Sequence, residues 1–169
     1  MSVKNFYPSF PILPYKRTSI DMPAVISFAN TLVGKYLKEV VRTSVAIFKN
    51  ESANGKSGVC ENYVGLQADN AVWQGLDLTN VIGTCVKTDG AGDTRRFICF
   101  NEKGYQSCFE FLCYKVQQRG MYIGAANINN ESDLYDIYQK KWVANPKENT
   151  VQAKKDFESL YQSSVKQIA

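Results

Sequence analysis

Residues 37–51 have the sequence LKEVVRTSVAIFKNE, and this stretch decides the kind of fold that the chain adopts. Its apolar side chains recur every three or four residues, which is the period of an amphipathic helix. They form one stripe that consists of Leu37, Val40, Val41, Ser44, Ile47 and Phe48. Glu51 continues that stripe one turn beyond Ile47 and Phe48. The stretch therefore predicts a helix with one face in the core and a carboxylate at its C-terminal end.

Helical patterns recur along the rest of the chain. The further helices are predicted from Asp21 to about Val33, around 105–118, around 131–142 and from Asn145 to Ile168. Gly34 ends the first of them, because glycine breaks a helix. The last helix has a clear start signal, since Asn145 suits the N-cap, Pro146 the first helical position and Glu148 a capping box.

One β-hairpin is predicted between the helices. Its strands are Val81–Val86 and Arg96–Phe100, and they flank the turn-forming residues 89–93, which read DGAGD. Residues 52–80 are rich in Gly, Asn and Ser and carry no clear period. The sequence therefore predicts an α+β fold, mostly helical with one small β-hairpin, an arrangement typical of lysozyme-like domains.

The chain divides into an arm, residues 1–23, and a single domain, residues 24–169. Four of the five prolines lie in the arm, where they alternate with aromatic and aliphatic side chains and favour an extended backbone. The arm either covers the protein's own core or docks to another protein. It does not resemble a signal peptide, because prolines interrupt its apolar stretch.

Composition excludes several classes of function. The chain contains no histidine, so Ser-His-Asp and Cys-His catalysis and His-ligated zinc are excluded. A net charge of +4 suits an anionic polymer such as a cell wall and falls short of a nucleic-acid-binding protein. No run of about 18 apolar residues is present, so membrane insertion is not expected.

The cysteines point to buried thiols. There are five, at positions 60, 85, 99, 108 and 113, and no C-x-x-C pair occurs among them. Cys108 and Cys113 lie about 140° apart on a helix, which removes one close pair of ligands. A four-cysteine zinc site needs two such pairs. We expect free buried thiols, with one or two disulfides if the protein works outside the cell, and no metal or cofactor.

Glu51 is the candidate for chemistry. A glutamate at the C-terminal end of a helix meets the negative end of the helix dipole, and apolar neighbours further disfavour its charge. Both effects are expected to raise the pKa of Glu51, as a general acid requires at neutral pH.

Residues 46–75 have the sequence AIFKNESANGKSGVCENYVGLQADNAVWQG. Three pieces of this segment resemble the A-x-x-E-S-x-x-G-x-S, N-[YL]-F-G-[IL]-K-A and W-x-G elements of bacterial glucosaminidase-type peptidoglycan hydrolases, the autolysin and flagellar kind. Residues 97–100, 122–125 and 142–146 continue the resemblance in the same order. It spans about residues 24–168 and leaves the arm outside.

The resemblance implies a lysozyme-like fold and a role for Glu51 as the general acid that protonates the oxygen of a β-1,4 glycosidic bond in peptidoglycan. The residues that it implies at the substrate are Asn62, Tyr63, Trp73, Thr84 and Tyr122. Tyr63 and Trp73 also fit as core residues, and Tyr122 also fits as a cap of the preceding helix. The protein is expected to reach the cell wall by phage delivery, host lysis or non-classical secretion.

The sequence departs from the family at the second carboxylate. The family's second glutamate lies on the first strand of the hairpin, where this chain has Thr84 and no Asp or Glu within 81–86. Asp89 or Asp93 could replace it, or the substrate's own acetamido group or 6-hydroxyl could assist Glu51. The alternative is a non-catalytic structural or assembly protein with a lysozyme-like fold, as in a phage virion or a secretion apparatus.

Overall fold

A computed structural model describes residues 3–88, 92–123, 131–143 and 150–169 of the chain. These residues form an α+β fold with five α-helices and two small antiparallel sheets. The elements in chain order are β1 (Arg17–Thr18), α1 (Met22–Thr31), α2 (Lys38–Glu51), β2 (Gly58–Val59), β3 (Val81–Thr88), β4 (Thr94–Phe100), α3 (Gly104–Arg119), α4 (Glu131–Tyr138) and α5 (Val151–Gln167). None of the described helices is long and apolar enough to cross a membrane.

The central element is α2, and its prediction is confirmed. The helix ends at Glu51, and Val40, Ile47 and Phe48 on its stripe are fully buried. Leu37 is exposed and serves as the N-cap, so the buried stripe starts one turn later than predicted. The helix packs against α3 and α5. Each large apolar side chain buried in this way stabilises the fold by roughly 1.5–3 kcal/mol.

The hairpin and the two flanking helices are confirmed with small shifts. Strands β3 and β4 each extend two residues further toward the turn than predicted, and they pair in a register that sets Cys85 opposite Phe97. Helix α1 follows Asp21, whose backbone is extended, and ends at Thr31. Helix α3 ends at Arg119, and Gly120 is its C-cap. The φ of 65° at Gly120 is left-handed, a conformation that glycine adopts without strain.

The arm lies against the domain. Tyr7 is part of the core, and the backbone N–H of Leu13 donates to the carbonyl of Thr84 on β3. The guanidinium of Arg96 on β4 donates to the carbonyls of Val3 and Lys4. Strand β1 pairs with β2, so a second small sheet that the sequence did not predict accompanies the hairpin. Residues of the arm build a second sheet because proline-rich chain is already extended.

The last two helices have bounds that differ from the predicted ones. Helix α4 continues as a π-helical turn over Gln139–Val143, which together cover the helix predicted at 131–142. Asn145, Pro146 and Glu148 lie outside the described residues. Helix α5 begins later than predicted, at Val151, because Thr150 is its N-cap and the side-chain oxygen of Thr150 accepts from the N–H of Ala153 at 3.1 Å. Stacking of Tyr138 on Phe157, with ring centroids 4.8 Å apart, joins α4 to α5.

Candidate active-site cleft around Glu51

Glu51 lies in a cleft at the end of α2. The side chain is half-buried, and the cleft has a volume of about 470 Å³. The lining comes from α2, from the loop after β2, from α4 with its π-helical turn, and from α5. The lining residues described are Asn50, Glu51, Val64, Gly65, Tyr135, Tyr138, Gln139, Trp142 and Ala153. Glu51 is the one carboxylate among them.

Tyr138 holds the carboxyl group of Glu51. Its hydroxyl donates to Oε1 of Glu51 and accepts from the side-chain amide of Asn50 at 3.0 Å. The Tyr138 ring is fully buried, and this burial raises its pKa well above the ordinary value, with the charge of Glu51 adding to the effect. The phenol therefore stays neutral and remains a hydrogen-bond donor to Glu51 at every physiological pH.

Helix α4 and its π-helical turn supply the wall opposite α2. Tyr135 and Tyr138 project inward from α4, and the side-chain amide of Gln139 donates to the hydroxyl of Tyr135 at 2.8 Å. The π-helical turn then brings Trp142 to the rim of the cleft. Turns of this kind occur often at functional sites, because they redirect side chains within a helix.

A second cleft, of about 320 Å³, continues from the first. The two share Val64, Gly65 and Trp142, and together they form one groove, here called the Glu51 groove. The second cleft is also lined by Leu66, Gln67, Asn70, Trp73, Arg119 and Lys141. The guanidinium of Arg119 lies 5.9 Å from the centroid of the Trp142 ring. The groove thus leads from a carboxyl group at one end to two cationic side chains at the other.

Gly65 forms the junction of the two clefts. Its φ of +65° is left-handed, and no atom lies within 4 Å of the position where a Cβ would stand. Asn62 fixes the loop that carries it, because its Oδ1 accepts from the N–H of Leu66 at 3.1 Å and its amide donates to the carbonyl of Ile98 at 2.9 Å. The loop is therefore rigid, and its glycine leaves the groove open.

Trp73 is the predicted substrate residue that the structure brings into the Glu51 groove. Its indole N–H donates to the carbonyl of Gln67 at 2.6 Å, and its ring packs edge-on against Phe111. The hydroxyl of Tyr7 in the arm accepts from its backbone N–H at 2.8 Å. Trp73 is therefore held from both sides in the wall of the groove.

Asn62 and Tyr63 face inward instead. Asn62 is buried and its amide group is occupied by the backbone bonds just described. Tyr63 is buried against Phe48, and its hydroxyl donates to the carboxylate of Glu61 at 2.7 Å. Their assignment to the substrate is corrected, because neither side chain lines the groove; Tyr63 takes the core role that the sequence left open.

The remaining predicted residues also lie away from Glu51. Thr84 is buried beneath the arm, where its hydroxyl accepts from Arg96 at 3.1 Å. Tyr122 is half-buried against the core and is not among the residues described as lining the groove. Asp93 is exposed at the turn of the hairpin, and Asp89 lies outside the described residues. In the described part of the chain, no second carboxylate lines the groove.

Sequence reasoning missed Tyr138, Gln139 and Arg119. Tyr138 was assigned only to the apolar stripe of its helix, and its distance of 87 residues from Glu51 gave no local hint of a contact. The density of aromatic residues in 135–142 was the available signal, since tyrosine and tryptophan combine an apolar ring with a polar group.

Another cleft, of about 500 Å³, contains two carboxylates, Asp77 and Glu110. Glu110 forms an ion pair with Lys35. The hydroxyl and the backbone N–H of Thr79 both donate to Asp77, which lowers the pKa of that carboxyl group. Asp77 is therefore held in the charged form, which does not suit a proton donor.

Searches against protein-family models, curated proteins and solved structures return no match to the chain. The resemblance to glucosaminidase-type hydrolases therefore rests on the sequence elements quoted above. The chemistry of the Glu51 groove carries the functional proposal.

Proposed function

We propose that the protein is a glycoside hydrolase that cleaves β-1,4 bonds of peptidoglycan, with a lysozyme-like fold and with Glu51 as the general acid. The observation that carries this proposal is the half-buried carboxyl of Glu51, held by the neutral hydroxyl of Tyr138 inside a groove. A carboxyl group in such a setting can give its proton to a leaving oxygen and take it back from water.

Glu51 lies at the negative end of a helix dipole. It is the last residue of α2, so the unpaired carbonyls of the final helical turn place partial negative charge beside it. Val64 and the ring of Trp142 add apolar surface around the cleft.

The rest of the groove suits a polysaccharide. Trp73 and Trp142 offer aromatic rings on which the C–H faces of sugars pack. Side-chain amides of Gln67 and Asn70 line the same groove and can pair with hydroxyl and acetamido groups. The cationic end formed by Arg119 and Lys141 suits the carboxylates of peptidoglycan.

The groove supports a mechanism with one protein carboxylate. A covalent glycosyl-enzyme requires a second carboxylate about 5–5.5 Å from the acid. None lines the groove in the described residues. We infer that Glu51 protonates the glycosidic oxygen while the acetamido group of the substrate, or a positioned water, attacks the anomeric carbon.

The test compares Glu51→Gln with Glu110→Gln on purified cell walls, by loss of turbidity and by zymogram. Both glutamates are half-buried, and both substitutions keep the size of the side chain. Glu51→Gln is expected to lower the rate about 10²–10⁴-fold, the contribution of a general acid. Glu110→Gln should retain wild-type activity. Wild-type activity in a folded Glu51→Gln protein would remove Glu51 from the chemistry.

The products identify the bond. We expect reducing-end N-acetylglucosamine by mass spectrometry, as the resemblance to glucosaminidases implies. Reducing-end N-acetylmuramic acid would instead mean muramidase action, and a 1,6-anhydro end would mean transglycosylation. Alanine at Asp89 or Asp93 should leave the rate unchanged. A folded but inactive variant at either position would contradict the one-carboxylate mechanism.

The second candidate function is a non-catalytic structural or assembly protein that keeps the fold. The presence of a single carboxylate in the described groove favours it, because most glycosidases use two. A wild-type protein that sediments with cell walls and releases no fragments would support this candidate.

A further inference from the structure

Three cysteine side chains converge beside the hairpin. All five cysteines are buried and free, as the sequence predicted. Cys85 on β3 is paired with Phe97, so Cys99 on β4 lies two residues further along the same face of the hairpin. Cys60, in the turn after β2, brings its sulfur to the same point. The three sulfurs lie within 4.8 Å of one another, and those of Cys60 and Cys85 are 3.6 Å apart.

We propose that Cys60, Cys85 and Cys99 form a binding site for the soft d¹⁰ ion Cu(I), with three thiolate ligands. A metal–sulfur bond of about 2.3 Å places the three sulfurs of a trigonal site about 4 Å apart. The observed sulfur positions therefore need little movement to hold an ion. The sequence predicted no metal because it sought four cysteines in two close pairs, and a three-sulfur site needs neither.

The set of ligands favours Cu(I) over Zn(II). Thiolates are soft ligands and suit both ions. Structural zinc is almost always four-coordinate, and nitrogen from histidine is its usual complement to sulfur. The chain has no histidine. In the described part of the chain, no aspartate, glutamate or further cysteine comes within the same reach of all three sulfurs.

Apolar side chains surround the three sulfurs, and one of the three cysteines also borders a cleft through which an ion can enter. Leu13, Val59 and Phe97 pack around them as an apolar cluster separate from the main core. Cys85 and Cys99 have no exposure, whereas Cys60 also lines a cleft of about 440 Å³. An ion can therefore enter from the side of Cys60 and be shielded from water once bound.

The backbone of Cys60 is held in an uncommon conformation. Its φ of 49° is left-handed, which a residue with a Cβ rarely adopts. The N–H of Cys60 donates to the carbonyl of Lys16 at 2.7 Å, and its own carbonyl accepts from Phe100 at 2.9 Å. Hydrogen bonds from the arm and from β4 thus impose this conformation. Such enforced outliers concentrate at ligand clamps and active sites.

Nearby positive charge suits thiolate ligands. Burial of the three thiols favours their neutral forms, and the positive charges of Arg96 and Lys87 act against this at Cys85. Arg96 is itself buried on β4. Binding of the ion would complete the deprotonation of the cluster, because metal ligation releases thiol protons.

The test uses the reduced full chain under anaerobic conditions, titrated with Cu(I) as its bicinchoninate complex. We expect one Cu(I) per chain, and three sulfur neighbours by X-ray absorption of the wild-type protein. Cys85→Ala should lose this binding. Cys113→Ala is the matched control, because Cys113 is also a fully buried free thiol and lies outside the cluster. It should bind like the wild type.

Three results would overturn the proposal. The first is undiminished Cu(I) binding by Cys85→Ala, and the second is fewer than three sulfur neighbours in the wild-type spectrum, which does not depend on whether a variant folds. The third is retention of one Zn(II) with a fourth ligand from the chain in competition with Cu(I).

Discussion

Two clefts of this protein each present a half-buried glutamate on a helix, and they differ in what touches the carboxyl group. In the Glu51 groove, one contact of the carboxyl group is with the buried, neutral hydroxyl of Tyr138. In the cleft beside α3, the partner of Glu110 is the ammonium of Lys35, whose pKa is raised by that contact. Both glutamates are half-buried, and the contacts described here differ in charge, with a phenol at Glu51 and an ammonium at Glu110.

Under the proposed function, this difference distinguishes Glu51 from the other acidic residues, of which the chain has 16 in total, in a chain with no histidine. An ammonium has donors and no acceptor, so it interacts favourably with the charged form of a carboxylate. A phenol can donate to the carboxylate and also to the carbonyl oxygen of the protonated acid. Glu51 can thus pass through both forms without losing its partner.

The largest effect is expected from removing that partner by Tyr138→Phe. A hydrogen bond to a charged group contributes about 1.5–3 kcal/mol, so the rate of wall hydrolysis should fall roughly 10- to 100-fold. The hydroxyl favours the deprotonated carboxyl group, and without it Glu51 holds its proton to higher pH. Since the general acid must be protonated, the alkaline limb of the pH–rate profile should move upward.

Tyr135→Phe is the control for this change. Tyr135 lines the same cleft, and its hydroxyl accepts from Gln139. The Tyr135→Phe substitution should therefore leave the alkaline limb of the pH–rate profile unchanged. A shift of equal size in both variants would show that general loosening of α4 moves the profile, and that Tyr138 has no particular role in orienting Glu51.

A smaller effect is expected from narrowing the groove by Gly65→Asn. Asparagine tolerates a left-handed backbone, and its side chain would project into the space at the junction of the two clefts. We expect a KM for wall fragments about tenfold higher, equivalent to about 1.4 kcal/mol of binding.

Gly34→Asn supplies the comparison, because Gly34 also has a positive φ and open space around it but lies outside the groove. Thermal unfolding should show a loss of roughly 1 kcal/mol for Gly65→Asn and a larger loss for Gly34→Asn, because the φ of 105° at Gly34 lies further from the left-handed well at about +57°. If Gly34→Asn raises KM as much as Gly65→Asn does, the substrate does not lie along the groove.

The smallest effect is expected from Lys35→Met. The ion pair that it breaks is at the surface, and such pairs contribute about 0.2–1 kcal/mol. The thermal midpoint should therefore change by less than about 4 °C for a chain of this size. Activity on cell walls should be unchanged. If the double variant Lys35→Met/Glu51→Gln hydrolysed cell walls, Glu110 would be able to act as the acid in place of Glu51, and the comparison between the two clefts would fail.

Local patterns predicted α2, the hairpin and α3 from the sequence because each has a clear period or turn of its own. The same reasoning placed Glu51 correctly at the end of a helix. The contact with Tyr138 depends on how α4 packs against Phe157 of α5, which no local pattern records. The candidate acid was therefore predictable, and the group that holds it was not.

The errors at Asn62 and Thr84 have a common physical cause. Both were assigned by their position in a motif, and in the structure both satisfy buried backbone or side-chain polar groups. A motif records spacing along the chain, whereas the direction of a side chain in a loop follows from the hydrogen bonds that the loop must satisfy. The cysteine cluster was not predicted for a similar reason. The turn after β2 brings Cys60 next to the two hairpin cysteines, and no pattern in the sequence indicates this contact.

The attachment of the arm has a consequence for how the protein is made. The carbonyl of Lys4 in the arm accepts a hydrogen bond from the guanidinium of Arg96, and 92 residues separate the two in the sequence. At a synthesis rate of about 5–20 residues per second, roughly 5–20 s pass between the synthesis of Lys4 and the synthesis of Arg96. The hydroxyl of Tyr7 meets its partner Trp73 earlier, since 66 residues separate the two. The arm therefore attaches in stages along the growing chain, and its contact with Arg96 follows the synthesis of β4.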